Sequence, residues 1–385
     1  MMLSVALPRL PSGVLVSAVS VAMLASGCTK DPGSEAGGDG ISSTGIESLG
    51  DGDGDETTGN NTSADTEDVK FDMPQEGGNE SQDPCGEGGE GELCDCEIPP
   101  HTPCDANANT PLVQVLGLNC PGDSPQVQFT TDGSSAAIGT RSSFGNAGAF
   151  PAQEGSKYVV IGSGRTDELD SQTLLACNSD LGAYDPGNLP APIVGSDVGS
   201  QSCADDPSLI GMGDCSNTIE SQLAGTVNDY TELRITTQVP NGVNSFSYNL
   251  AYFSYEYPEY YLSVYNDMYI GWLESEVWTG NISFDEQGHP ISLNAGFLDY
   301  RDANAPNDPQ CQGNCSAPEL HGTCMQGHAG TKWLTTNAGV APGEMITVVF
   351  AIFDMSDSVL DSYAFIDNFQ WGCDGDQPPS TVPIE

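Results

Sequence analysis

Residues 244–254 read NSFSYNLAYFS, and residues 344–354 read EMITVVFAIFD. These two stretches decide the fold. In the first, Phe246, Tyr248, Leu250 and Tyr252 recur at every second position, which places them on one face of an extended strand. The second is apolar at consecutive positions and rich in β-branched and aromatic residues, as in a strand covered on both faces. Working outward, residues 157–162 (KYVVIG) read as a short buried strand, and 231–239 (TELRITTQV) alternates. Residues 264–273 contain another strand, and 362–371 (SYAFIDNFQW) follows after a turn. Gly, Pro, Asn and Asp bound these runs, and no long segment carries a 3.6-residue apolar period. The pattern predicts an all-β chain: one antiparallel, jelly-roll-like β-sandwich over residues 110–375, with long loops. Residues 376–385 read as a Pro-rich tail.

The formal net charge is -46 on 385 residues. Acids are spread through the sandwich as well as the segment before it. Such a surface repels polyanions, which excludes nucleic acid and direct contact with anionic headgroups. Two explanations fit an acidic fold. It binds divalent cations, or it is adapted to a salty medium that screens self-repulsion.

Residues 29–83 are mostly Gly, Ser, Thr, Asp and Glu, and too few are apolar to offset chain entropy. They predict a disordered acidic tether spanning roughly 40 Å root-mean-square. Within it, Asp51-Gly52-Asp53-Gly54-Asp55 suggests an EF-hand loop. The sixth position is Glu56 rather than Gly and the twelfth is Thr62 rather than Glu, so a solvated linker is the better reading. Ahead of the tether, Val14 to Leu24 form an uncharged apolar run preceded by Arg9, the layout of a signal peptide over residues 1–27. Leu24-Ala25-Ser26-Gly27-Cys28 resembles the lipobox of bacterial lipoproteins. The resemblance implies lipid on Cys28, a membrane partner through that anchor, and display at the outer membrane or cell surface.

The chain has 13 cysteines, and setting Cys28 aside leaves an even number in an exported protein. Disulfides are the expected state. In the Cys-rich segment 84–109, Cys85, Cys94, Cys96, His101 and Cys104 fit either a zinc site or a small disulfide knot, the latter favoured. Cys203/Cys215 and Cys311/Cys315/Cys324 lie in loop-like sequence and are expected to staple it locally.

Phe253-Ser254-Tyr255-Glu256-Tyr257-Pro258-Glu259-Tyr260, followed by Tyr265-Asn266-Asp267-Met268-Tyr269, resembles a motif of the choice-of-anchor L domain of bacterial surface proteins. So does Ala351-Ile352-Phe353-Asp354-Met355-Ser356-Asp357, continuing through Leu360-Asp361-Ser362-Tyr363-Ala364-Phe365. The resemblance covers residues 156–371 and implies surface display, as in myxobacterial lipoproteins. Tyr255 stands where the family has an acid, and residues 302–324 are an elaboration. The family has no established activity, so the resemblance implies no ligand.

Asp354, Asp357 and Asp361 sit at spacings of three and four just past a buried strand. Glu256 and Asp267 join them if the two motifs meet across the sandwich. Clustered carboxylates at strand ends suit a hard cation, and calcium is the expected one. The alternative is that these acids cap loops or face water. Residues 248–269 hold eight of the 13 tyrosines. Tyr257, Tyr260, Tyr261 and Trp278 would form a sugar-stacking platform if exposed, or core if the rings alternate inward. His321, His328 and Cys324 admit a transition metal or simple loop decoration. No histidine sits in a G-x-S-x-G or HExxH context. Glu274/Glu276 and Asp285/Glu286 remain as possible glycosidase pairs. The expectation is therefore a non-catalytic surface protein in adhesion or recognition, with calcium as the candidate stabilising ion and a surface protein or extracellular polysaccharide as the candidate partner. A module for extracellular polysaccharide is the second reading, and a glycan hydrolase the third.

Overall fold

The computed structural model describes residues 96–194 and 225–384, apart from 174, 183, 314 and 376, together with Ile219 and Leu223. The signal peptide, Cys28, the acidic tether, Cys85, Cys94, Cys203 and Cys215 lie outside the described residues. A four-residue helix, α1 (Leu112–Val115), precedes the strands. In chain order these are β1 (Gln128–Asp132), β2 (Ile138–Arg141), β3 (Ser143–Phe144), β4 (Phe150–Pro151), β5 (Tyr158–Gly162), β6 (Val227–Gln238), β7 (Ser245–Ser254) and β8 (Met268–Glu274). Then come β9 (Thr279–Asn281), β10 (Ile291–Ser292), β11 (Leu298–Arg301), β12 (Ala329–Thr331), β13 (Leu334–Gly339), β14 (Met345–Met355), β15 (Ser362–Gly372) and β16 (Ser380–Pro383).

The strands form two antiparallel sheets and a small hairpin. One sheet has six strands in the order β1-β6-β14-β8-β10, with β9 beside β8. The other has eight, ordered β11-β12-β7-β15-β5-β2, with β13 pairing both β7 and β16. The expected antiparallel β-sandwich is what the chain forms. Its central strands are those with the clearest apolar pattern.

Alternation explains the layers. Phe246, Tyr248, Leu250 and Tyr252 of β7 meet Ile346, Val348, Phe350 and Ile352 of β14 in one core between the sheets. Each such side chain contributes about 1.5–3 kcal/mol on burial. The intervening residues are buried too. Tyr158, Val160, Phe253, Tyr363 and Phe365 lie under Phe144, Phe150, Leu320, Met325 and Trp333 on the outer face of the eight-stranded sheet. Val349, Ala351, Phe353 and Met355 are covered on the outer face of the other by Ile193 and Ile219. Long loops thus roof both sheets, and β14 must be apolar on both faces.

The disulfides brace this roofing at longer range than expected. Cys311 bonds Cys315 locally. Cys324 instead reaches Cys177. Cys96 bonds Cys373 across 277 residues, and Cys104 bonds Cys120. Among the described residues there is therefore no self-contained knot, and Cys96 and Cys104 are not zinc ligands. The expected tail is a further departure: its residues 380–383 are β16, paired to β13 from Leu334↔Pro383 to Asn337↔Ser380.

Candidate functional site

Asp354 continues the inward stripe of β14 at one end of the sandwich. In β14 and β8 Phe353 pairs with Met268, so Asp267 is the next residue along. Asp267 accepts a bond from the Met355 amide at 3.0 Å through Oδ1 and from Ser362 Oγ at 2.9 Å through Oδ2. Its carbonyl accepts from the Tyr252 hydroxyl at 2.8 Å. Its amide donates to Glu256 Oε2 at 3.3 Å, which brings the loop after β7 into the same cluster. Asp361, just before β15, accepts from the Ser179 amide at 3.1 Å and the Tyr363 hydroxyl at 3.0 Å. Gly164 makes room for it, since a Cβ there would lie 1.6 Å from Asp361 Oδ2.

Glu256, Asp267, Asp354 and Asp361 are all buried. Asp357 is half-buried and acts electrostatically on Glu256 and Asp267. The two sequence motifs therefore do meet, and all five acids read from the sequence face one region. No salt bridge among the described residues reaches any of them. Burial pushes the Asp354 carboxyl far above the carboxylate range, and Asp267 and Asp361 push it further. Glu256 is raised by burial and by Asp267, and Asp267 and Asp357 chiefly by burial. Burial raises Asp361 to about 6. Asp354 stands out because both carboxylate oxygens are sealed from solvent without a hydrogen-bond partner. Ser163 and Asp267 lie beside it, and Asp267 is close enough to share a proton with it.

Two further polar residues lie beside the cluster, of which Asp229 was not read from the sequence. Asp229 of β6 is buried, with a φ of 43°. Its Oδ2 accepts from the Leu181 amide at 3.3 Å while Oδ1 has no partner. Burial raises it to about 7, and Asp185, Asp180 and Asp361 add repulsion. Asn266 is buried with neither amide atom bonded. Each belongs to an Asn-Asp pair, Asn228-Asp229 and Asn266-Asp267, that reads as loop edge, which hides its burial.

Among the described residues, one set of three His, Cys or carboxylate ligand atoms lies mutually within 4.8 Å: His101, Cys120 and Asp123. Cys120 is oxidised, so that set is no metal centre. The buried acids are not drawn around one point as three carboxylates. A cation beside Asp354 and Asp267 would need hydroxyl, amide or backbone oxygens to complete its shell.

The aromatic platform is not formed. Tyr257 and Trp278 are buried, in separate core clusters. The Tyr257 hydroxyl is 3.3 Å from the Ala303 carbonyl. Tyr260 and Tyr261 are half-buried and stand edge-on to Tyr265 and Tyr257 at 5.4 and 5.9 Å. Alternation had allowed this outcome, and the rings serve packing. The transition-metal set also falls apart: Cys324 is oxidised, His321 faces Asp302 at 3.1 Å, and His328 faces the Tyr257 carbonyl at 2.6 Å. Asp285 is a turn residue. It accepts from the amides of Gln287, His289 and Gly296, and despite burial these bonds and the His289 ring hold it below the carboxylate range. No family model, curated protein or solved structure matches the chain.

Proposed function

We propose that this chain is an exported, lipid-anchored surface protein that presents a disulfide-braced β-sandwich for adhesion or recognition, and that calcium holds its carboxylate-lined end together. The observation that carries the cation reading is Asp354, fully buried with both oxygens orphaned among other acids. An uncompensated buried carboxylate is costly, and removal of that cost by a cation or a proton is what the cluster requires. Calcium accepts carboxylate, amide, hydroxyl and carbonyl oxygens in an irregular shell of six to eight, which suits a site short of converging carboxylates. Magnesium demands near-octahedral order and suits it poorly. Asp354 and Asp267 are the central ligands, with Glu256, Asp361 and Asp357 around them.

Export is supported by the four disulfides among the described residues, which belong to an oxidising compartment. Surface display is supported by the lipobox-like Leu24–Cys28 and by the two motifs resembling the choice-of-anchor L domain, which supply the acids of one cluster.

Calorimetric melts of the full chain in millimolar calcium, magnesium and EDTA test the cation. A site filled to about 100 times its Kd adds about 2.7 kcal/mol, or roughly 5–10 °C in a domain of this size. Identical midpoints in calcium and EDTA would sink it. Fractionating cells that express Cys28→Ser tests the anchor, because a variant that still sediments with membranes rules it out.

A further inference from the structure

A cavity of about 270 Å³ lies far in sequence from the carboxylate cluster, between the segment that leads into the sandwich and the end of β15. Its walls include Pro99, Pro100, His101, Asp123, Glu154 and Trp371. Cys96–Cys373 and Cys104–Cys120 pin the segments that carry them, so the walls are set before any ligand arrives. Trp371 is half-buried and stands edge-on to Phe369 at 5.4 Å. The indole and prolines give flat apolar surface, and no lysine or arginine lines the cavity. Anionic ligands have nothing to hold them there.

The polar wall is a chain of three groups. His101 Nδ1 is 3.1 Å from Asp123 Oδ1, an acceptor, so Nδ1 carries a hydrogen. Asp123 Oδ2 is already taken by the Cys120 amide at 2.7 Å. On the other side of the ring, Nε2 is 3.5 Å from Glu154 Oε1 and has no hydrogen-bond partner although it is buried. A hydroxyl satisfies this pair in either protonation state of the imidazole. It accepts from Nε2–H and donates to the Glu154 carboxylate, or it donates to the Nε2 lone pair. An ammonium lacks the acceptor that the imidazolium needs.

We infer that this cavity binds one neutral, hydroxyl-bearing ring, a sugar unit at the end or branch of a glycan, with Trp371 under the ring and His101 and Glu154 on a hydroxyl. Its volume admits one ring rather than a length of chain. The site gives the recognition role proposed above a ligand class. It shares no residue with the carboxylate cluster, so failure of one leaves the other standing.

Saturation-transfer NMR on the full chain, with glucose, galactose, mannose and N-acetylglucosamine as sugar probes and tetramethylammonium as the ammonium probe, tests it. At least one sugar is expected to bind with Kd in about the millimolar range. Trp371→Ala should abolish that binding, and Trp371→Phe should retain part of it. Glu154→Gln should weaken it about tenfold with an unchanged melting midpoint, which keeps the test decisive if the tryptophan variant folds poorly. Tyr260→Ala should bind like the wild type. The assignment is overturned if none of the sugars binds, if tetramethylammonium alone binds, or if sugar binding survives Glu154→Gln at full strength.

Discussion

Asp354 in β14 lies beside Asp267 at the start of β8, and the two carboxyls are sealed from water at the end of the sandwich. Asp267 spends both oxygens on the Met355 amide and the Ser362 hydroxyl, so it ties the two sheets together. Asp354 has no such bond. One acid is structural glue and the other is an electrostatic liability awaiting a counter-charge. Asp354→Asn separates the two effects. In EDTA its melting midpoint should equal or exceed that of the wild type, because the amide needs neither a proton nor a cation to stay neutral. In calcium the stabilising shift should shrink. A calcium shift of unchanged size in Asp354→Asn removes it from the ligand set.

The same cluster sets a pH dependence. Asp361 and Asp229 are raised to about 6 and about 7, and Glu256, Asp267 and Asp354 are also raised. The folded chain therefore keeps protons that the unfolded chain releases near pH 4 or so, and their contribution is largest at low pH. It is lost as pH rises through about 6 and then about 7. In EDTA the midpoint should fall between about pH 5 and about pH 8, and calcium should flatten that slope by replacing the protons. A metal-free midpoint that rises over this window contradicts the burial of these acids.

Gly164 is required by contact rather than by backbone conformation. Its missing side chain leaves space for Asp361, whose Oδ2 would lie 1.6 Å from an added Cβ. Gly164→Ala should destabilise the protein by on the order of 1–3 kcal/mol and weaken its calcium response, both readable in chemical denaturation with and without calcium. A silent Gly164→Ala would mean that Asp361 does not sit against this turn.

Replacing Cys96 and Cys373 with serine opens the largest covalent loop among the described residues. Long loops give the largest entropic gain, and the double variant should lose about 3–5 kcal/mol. It should also loosen the Pro99–His101 wall of the cavity. Denaturant midpoints and limited proteolysis ahead of residue 104 check both effects. A variant as stable and as protected as the wild type would show that the bond is dispensable.

Legibility in the sequence followed the strength of the apolar pattern. β7, β14 and β15 were readable to within a residue or two because their side chains alternate or crowd both faces. β13, with the sequence LTTNAG, and β16, with STVP, were not, because polar and proline-containing strands look like loop. Pairing holds them in place, with Leu334 the one large side chain that β13 adds to the core. Asp354 was readable because it extends a stripe of core residues by one more step. Asp229 was hidden among polar neighbours. Disulfide partners were hidden for another reason: Cys177 and Cys324, or Cys96 and Cys373, become neighbours only once the sheets have packed. The tyrosines illustrate the limit of composition, since density alone did not distinguish a binding face from a core.

The Cys96–Cys373 bond also has a mechanical meaning. Tension arriving from the N-terminal side at Cys96 passes to Cys373 through a single covalent link, bypassing the 277 residues of sequence between them. Trp371 and Gln370 of the cavity lie two and three positions from Cys373, and Ile98 two positions from Cys96. A load applied at the cavity therefore travels a short path along bonded chain, and the stacked strands are left out of the line of force.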